Sequence, residues 1–315
     1  SNTKFDTGKL DTIFFNFSCD FRHTDTYSTR HMKKITVIMI TMLFPVFLWG
    51  QAQINTKKVK IGDFTEKITK VVLTGNQFMD GTLQDEITLR WRISPYEFCS
   101  YDEFKKIRTD DNYYFLLTTD AQFRKDESPS IQFLTLVKGG PEAEKGIHEM
   151  LEVISVPIAS AKFPTGRELI FLPAFLDIIQ NQTLEAMETD FSAYGGLANT
   201  TKNIHKAGGM TIVFSEDDLN SLVSQAVIDR SFDDEMIITD EDSADQYMLD
   251  NAPGTLVSYV AVPAEPVKGS FCYKMLIDSQ THKLYYFRKH KITNKAGAGF
   301  LPEDIIKITA SRVKK

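Results

Sequence analysis

The order of local structural signals in this chain recurs once, about 140 residues further on, and this recurrence restricts the fold more than any other feature. In the first half, an apolar run around Val71 indicates a buried strand, and a capping box that opens at Thr74 favours a helix after it. In the second half, the apolar run 210–214 indicates the strand and Ser215 the helix cap. Each match alone is weak, whereas their constant spacing predicts a duplicated unit.

The later signals keep the same spacing. A short strand precedes a second capped helix in each half, with the caps at Ser100 and Thr239. A pair of strands then closes each half, at 113–118 with 131–138 and at 255–262 with 271–278. We therefore predict an α/β (α+β) fold made of two tandem pseudo-repeated β-α-β-α-β-β units joined by a helical connector.

The predicted boundaries give a first unit at 53–140, a connector at 141–204 and a second unit at 205–315, which adds a hairpin strand and a terminal helix. Within the connector we expect one helix from Pro141 through Ile154 and another that has Pro173 near its first turn and runs to about Asp190. Apolar side chains at helical spacing predict that the connector contacts both units within one compact body.

A secretion signal lies inside the chain. Met32, Lys33 and Lys34 precede the apolar segment Ile35–Trp49, and small and polar residues follow it, which is the layout of a signal peptide at 32–52. The segment is short for a membrane span and Pro45 interrupts it, so cleavage is favoured over a retained anchor. Residues 1–31 are interpreted as a non-native upstream extension. We expect a periplasmic or secreted protein that meets the membrane only through the signal segment before cleavage.

Charge and cysteine content narrow the choice of partners. The formal net charge is −6 and becomes more negative once residues 1–52 are removed, which argues against nucleic acid as a partner. Cys99 and Cys272 remain in the mature chain. They either form a disulfide or stay as free buried thiols, and the sequence leaves both open.

Four residues are weak candidates for catalysis. His148 and Glu152 are one helical turn apart, a spacing that could hold a metal, but the second histidine of a zinc-peptidase helix is missing. His205 and Cys99 could join them only if the fold brought them together. No nucleophile elbow is present and the whole chain has only six histidines, so we expect no metal and no cofactor.

Other polar stretches have simpler explanations. The segment 138–142 could hold an anion on its backbone amides, but glycines that shape a turn explain it better. The acidic clusters 233–235 and 240–245 could bind calcium, although carboxylates are also favoured in a first helical turn. The basic run 288–291 suits a guard against edge pairing better than a patch for acidic headgroups.

Two resemblances follow from these features. The order strand, capped helix, strand, helix and strand pair is similar to the small α/β units of the curli-secretion and penicillin-binding-protein-activator lipoproteins and of the Tol-system propeller protein. The stretches 136–142 and 299–304, with this type of signal segment, resemble uncharacterised secreted proteins of Bacteroides-type bacteria. The first resemblance implies a non-enzymatic envelope role, and the second implies no activity.

We therefore expect a secreted, non-enzymatic binding or scaffolding protein of the envelope, whose partner is an unknown envelope protein or small ligand. One alternative is an enzyme such as a hydrolase with its site in a cleft between the units. The other is a receptor for a small ligand or glycan, which exposed aromatic rings on one concave surface would favour.

Overall fold

This computed structural model describes residues 56–121, 130–232 and 235–312 of the chain. Ten strands and eight helices lie within these residues. The predicted extension and signal peptide lie outside the described residues, as do Asp233 and Asp234. The strands are β1 (Ile68–Val72), β2 (Tyr96–Cys99), β3 (Tyr113–Ala121), β4 (Ile131–Lys138), β5 (Leu151–Ser160), β6 (Thr211–Ser215), β7 (Met236–Thr239), β8 (Thr255–Ala261), β9 (Phe271–Asp278) and β10 (Leu284–Lys291). The helices are α1 (Lys57–Lys60), α2 (Gln77–Arg90), α3 (Tyr101–Ile107), α4 (Arg167–Glu188), α5 (Asp190–Gly195), α6 (Gln225–Ser231), α7 (Glu241–Leu249) and α8 (Pro302–Arg312).

The strands form two five-stranded sheets of the same topology. Sheet 1 has the order β2-β1-β3-β4-β5, and sheet 2 has the order β7-β6-β8-β9-β10. In each, the first strand of the repeat runs parallel to its two neighbours and the last three strands are antiparallel. The strands β4 and β9 begin at Ile131 and Phe271, 140 residues apart. The structure therefore confirms the mixed α/β fold of two repeated units.

The fifth strand of sheet 1 replaces a predicted helix. Two short 3-10 turns follow Gly140 and Gly146. The φ of 137° at Gly146 separates the two turns, and the segment Leu151–Ser160 then pairs with β4. Val153, Val156 and Ile158 give this segment the β-branched side chains that suit a strand. The first connector helix that we predicted is therefore wrong, and the connector is helical only from Arg167 onwards.

The helix caps match the predictions at one position and differ at others. Ser100 caps α3, accepting a hydrogen bond from the Glu103 amide at 3.2 Å. Asn76, not Thr74, caps α2, and Asp240, not Thr239, caps α7. The predicted cap Ser215 begins a 3-10 turn, and α6 starts only at Gln225.

The helices between parallel strands lie on opposite faces of each sheet. The chain moves outward from β1 to β2 and back across to β3, so right-handed crossovers put α2 and α3 on opposite sides. Leu83 of α2 lies in the core between the two sheets, whereas Phe104 of α3 lies on the outer side of sheet 1. In sheet 2 this is reversed, since Met248 of α7 lies in the core between the sheets. The two repeats are thus stacked head to tail.

Helix α4 fills the space between the sheets. Leu172, Leu176 and Ile179 are buried in the core that both sheets share, as the predicted apolar face requires. Pro173 lies inside this helix rather than in its first turn. On the far side of sheet 2, α8 occupies the position equivalent to α4 and buries Ile305 and Ile308. The prediction that the connector contacts both units is confirmed.

Candidate functional site

Equivalent faces of the two sheets have different surroundings. The registers equate Leu117 and Thr135 of sheet 1 with Tyr259 and Met275 of sheet 2, since each pair is directly opposed across β3–β4 or β8–β9. On sheet 2 this face lies in the shared core, where the Phe175 ring of α4 is 5.2 Å from the Tyr259 ring. On sheet 1 the same face is the outer one, and it carries a groove.

The outer groove, as we call it, has a volume of about 820 Å³ and runs from the carboxyl ends of β1 and β3 across to β5. This is within the ~300–1,000 Å³ typical of ligand sites. The carboxyl ends of parallel strands around a central strand are also where open α/β sheets bind ligands. Its lining combines apolar, hydroxyl and acidic side chains, among them Leu73, Thr74, Tyr101, Leu117, Thr119, Asp120, Phe133, Thr135, Val137, His148, Met150, Glu152 and Ser155.

A row of hydroxyls crosses the floor of the outer groove. Thr119 Oγ1 lies 3.0 Å from Thr135 Oγ1, and Thr135 donates to Ser155 Oγ at 3.1 Å. These residues stand on three neighbouring strands, so the sheet fixes their spacing. The hydroxyl hydrogen bonds run along the row, and the remaining lone pairs can accept hydrogen bonds from a ligand.

The ionisable lining of the outer groove is acidic. Asp120 and Glu152 contribute carboxylates, and Asp120 also accepts a hydrogen bond from Gln132 at 3.2 Å. Among the described residues, the lining contains no lysine or arginine. Asp120 and Glu152 can therefore pair with a cationic ligand, which at Glu152 would join Lys57, whose charge already interacts with that carboxylate.

The fold brings two of the four predicted catalytic candidates to this site. His148 and Glu152 both line the outer groove. They reach it from a 3-10 turn and a strand rather than from one helix face. The His148 ring is exposed and lies 3.6 Å from its neighbour Glu149.

The other two candidates lie elsewhere. Cys99 is 3 % exposed in the cluster beneath α3, where burial, with smaller contributions from Glu103 and other charges, raises the pKa of its thiol to about 11. His205 lies in the 3-10 segment Gly196–Lys206 and contacts the carbonyl of Lys202. Cys99 is therefore a protonated packing residue, and the described residues bring no nucleophile and base together at the groove.

At the predicted metal and anion sites, the structure gives the polar residues structural roles. No group of three or more histidine, cysteine or acidic side chains is placed for a metal within the described ranges. In the predicted calcium cluster, Asp240 caps α7 and Asp245 binds an arginine. At the predicted anion loop, the Gly139 and Gly140 amides donate to the carbonyls of Tyr113 and Arg108, which supports the turn interpretation.

That arginine is Arg167, the first residue of α4, and it belongs to a buried cluster that sequence reasoning missed. Its side chain donates from Nε to both carboxylate oxygens of Asp245 at 2.9 Å and from Nη1 to Asp218 at 2.9 Å. It also bonds the carbonyl of Ser258 and lies 5.0 Å from the Tyr259 ring centroid. The partners are separated by long stretches of sequence, so no local pattern indicated the cluster, which joins the connector to sheet 2.

A second buried pair anchors the terminal helix. Lys274 of β9 and Asp304 of α8 are fully buried and paired, and Asp304 also accepts hydrogen bonds from Tyr286 and Arg288 at 2.6 Å. Arg288 is thereby engaged, as is Lys289, whose ammonium lies 5.6 Å from the Phe271 ring. The predicted basic run thus contributes to packing on sheet 2.

Comparisons with known proteins give no relative for this chain: no family model, curated protein or solved structure matches it. Within the described residues, no helix is long and apolar enough to cross a membrane. The outer groove and the relation between the two repeats are therefore the features that bear on function.

Proposed function

We propose that the protein is a secreted, non-enzymatic envelope protein that binds another protein through the outer groove. One observation carries this proposal: the face of sheet 2 that corresponds to the groove is covered by α4, whereas the face of sheet 1 keeps a groove of about 820 Å³. Its walls offer apolar area at the half-buried Leu73 and Ile147, and its floor offers hydrogen bonds of fixed direction.

The alternative of a hydrolase has limited support. His148 and Glu152 share the groove, which favours catalysis, but the floor hydroxyls are bonded to one another rather than to a base among the described residues. A catalytic hydroxyl would need a base within hydrogen-bond reach.

The alternative of a glycan receptor depends on exposed aromatic rings. Tyr101 is 48 % exposed at the groove, but the Lys105 ammonium lies 5.0 Å from its ring centroid. Phe133 packs edge to face on Tyr273 at 5.5 Å. Each ring already has a partner within the molecule, so we favour a protein over a sugar as the ligand.

The test is site-specific photocrosslinking in the cells that naturally make the protein, expressed from Met32. A benzophenone amino acid replaces Tyr101 in the groove or, as the control, Phe78, which is 81 % exposed on α2. We expect one protein to crosslink from position 101 and not from position 78, and Ser155→Tyr to reduce the yield by narrowing the groove. The same captured proteins at both positions, or none at 101, would contradict the proposal.

The same sample tests secretion. Mass spectrometry of the purified protein is expected to find a mature N-terminus near Gln53. A chain that still carries Met32 and the apolar segment after fractionation would contradict the secreted location.

A further inference from the structure

The internal repeat offers a template for what the outer groove binds. On sheet 2, the face equivalent to the groove is covered by an α-helix, α4, which places Phe171 and Phe175 against Tyr259 at ring distances of 4.5 and 5.2 Å. The equivalence follows from strand order and register, since Tyr259 and Met275 oppose each other as Leu117 and Thr135 do. This type of sheet face therefore binds a helix within the molecule itself.

Helix α4 also brings a cation to that face. Arg167 in its first turn is held between the carboxylates of Asp218 and Asp245, both of which are buried. Apolar contacts from one side of the helix are thus combined with a charged contact at its end. The pairing is built into the fold.

The outer groove also combines apolar and charged side chains, but in a form that suits an occupant that binds reversibly. Leu73, Phe133 and Ile147, which are half-buried, supply apolar contacts, and Asp120 and Glu152 supply carboxylates without a lysine or arginine among the described lining residues. At three matched positions, however, Thr119, Thr135 and Ser155 stand where sheet 2 has Ala261, Met275 and Phe287. The hydroxyls lower the cost of leaving the face in water, as expected for an occupant that comes and goes.

We propose that the outer groove binds an amphipathic helix of a partner protein, with lysine or arginine beside its apolar stripe. This inference rests on the proposed function and names the partner's chemistry. The apolar stripe packs on Leu73, Phe133 and Ile147 as α4 packs on sheet 2, and the basic residues pair with Asp120 and Glu152.

The experiment uses the mature chain from Gln53 with labelled methyl groups and three synthetic probes of about 18 residues. The first is a Leu/Lys peptide with leucine at helical spacing. The second has the same composition in strict alternation, and the third is a Leu/Glu peptide at helical spacing. We expect the first to shift the methyl resonances of Leu73 and Ile147, and to bind at least about tenfold more tightly than the other two.

Charge reversal in the chain provides the matched controls. The double variant Asp120→Lys and Glu152→Lys is expected to bind the first peptide at least about tenfold more weakly. Asp85 is an exposed carboxylate on α2 away from the groove, and Asp85→Lys is expected to leave the affinity unchanged. Circular dichroism confirms that the variants are folded.

Two results would overturn the inference. Equal affinity for the helical and alternating peptides would show that the groove recognises only the charge of the peptide. Methyl resonance shifts outside the groove would show that the peptide binds elsewhere. Neither result removes the crosslink expected from position 101, whereas absence of that crosslink removes the proposed function itself. The two failures are therefore distinguishable.

Discussion

At the scale of single residues, Asp63 shows how a local charge holds distant segments. Its carboxylate accepts hydrogen bonds from Tyr114 at 2.6 Å and from Lys138 at 2.7 and 2.8 Å, and it pairs with Lys67 at 2.9 Å. Burial acts to raise the pKa of Asp63, but these donors together lower it from 3.8 to about 2. The ionised form is thus favoured in the folded state.

This depressed pKa makes a prediction about acid stability. The carboxylate stabilises the fold above its ordinary pKa of 3.8, and this contribution is lost as the pH falls towards about 2. We expect Asp63→Asn to lower the free energy of unfolding by about 1 kcal/mol at pH 6, allowing for solvent screening, and to have almost no effect near pH 2. Urea denaturation at both pH values measures this. An equal loss at both would exclude ionisation as its source.

The structure also decides the state of the two cysteines of the predicted mature chain. Cys99 lies in the cluster beneath α3, and Cys272 lies on the outer side of sheet 2, where the Gly299 amide donates to its sulfur at 3.3 Å. Both are free and buried. Of the two possibilities that the sequence left open, the structure has the free thiols.

At the scale of the elements, the start of α2 shows how a cap is chosen. Thr74 was the predicted cap, but its hydroxyl and amide both donate to Asp80 at 2.7 Å, so that Thr74 and Asp80 brace the loop before the helix. Asn76 then accepts from the Phe78 and Met79 amides at 3.1 and 3.3 Å. Because of these hydrogen bonds the cap is two residues later than predicted, at Asn76, and the helix itself lies where it was expected.

The cap assignment can be tested by substitution. We expect Asn76→Ala to lower the free energy of unfolding by about 1 kcal/mol, because the first-turn amides lose their acceptor, and Asn76→Ser to restore most of it. Thermal and urea unfolding measure both values. If the serine variant were as unstable as the alanine variant, capping by the side chain would not explain the loss.

At the scale of the whole molecule, one core serves both repeats. The cluster between the sheets contains Tyr114 and Leu134 from sheet 1, Met275 and Ile277 from sheet 2, and Phe175 from α4. Neither sheet can bury its inner face without the other repeat or the connector. The two repeats therefore do not have independent cores, and the first extends beyond the predicted boundary at 140 to include β5, which ends at Ser160.

The shared core predicts a single unfolding transition. Trp91, buried at 2 % exposure, reports on the first repeat by fluorescence, and the thiol of Cys272 reports on the second by its reactivity in a Cys99→Ala background. We expect both signals to change at the same urea concentration. Two separate midpoints would mean that the repeats fold independently.

The sequence by itself determined the duplication, the fold class, the succession along the chain of the first four strands in each repeat and the approximate starts of α2, α3, α7 and α8. These depend on local signals, such as apolar runs and caps, which repeat at constant spacing. The fifth strand of sheet 1 was missed because its apolar residues also fit a helix until pairing with β4 decides between the two.

Only the tertiary structure decided which face of each sheet is buried and which residues share a site. Crossover handedness puts α3 and α7 on equivalent faces of their sheets, and the head-to-tail stacking then leaves α3 outside and α7 inside. The equivalent face therefore carries the outer groove on sheet 1 and meets α4 on sheet 2. The cluster around Arg167 and the outer groove both join side chains from distant parts of the chain. Local patterns fix the elements, whereas a site made by their stacking exists only after the repeats have packed.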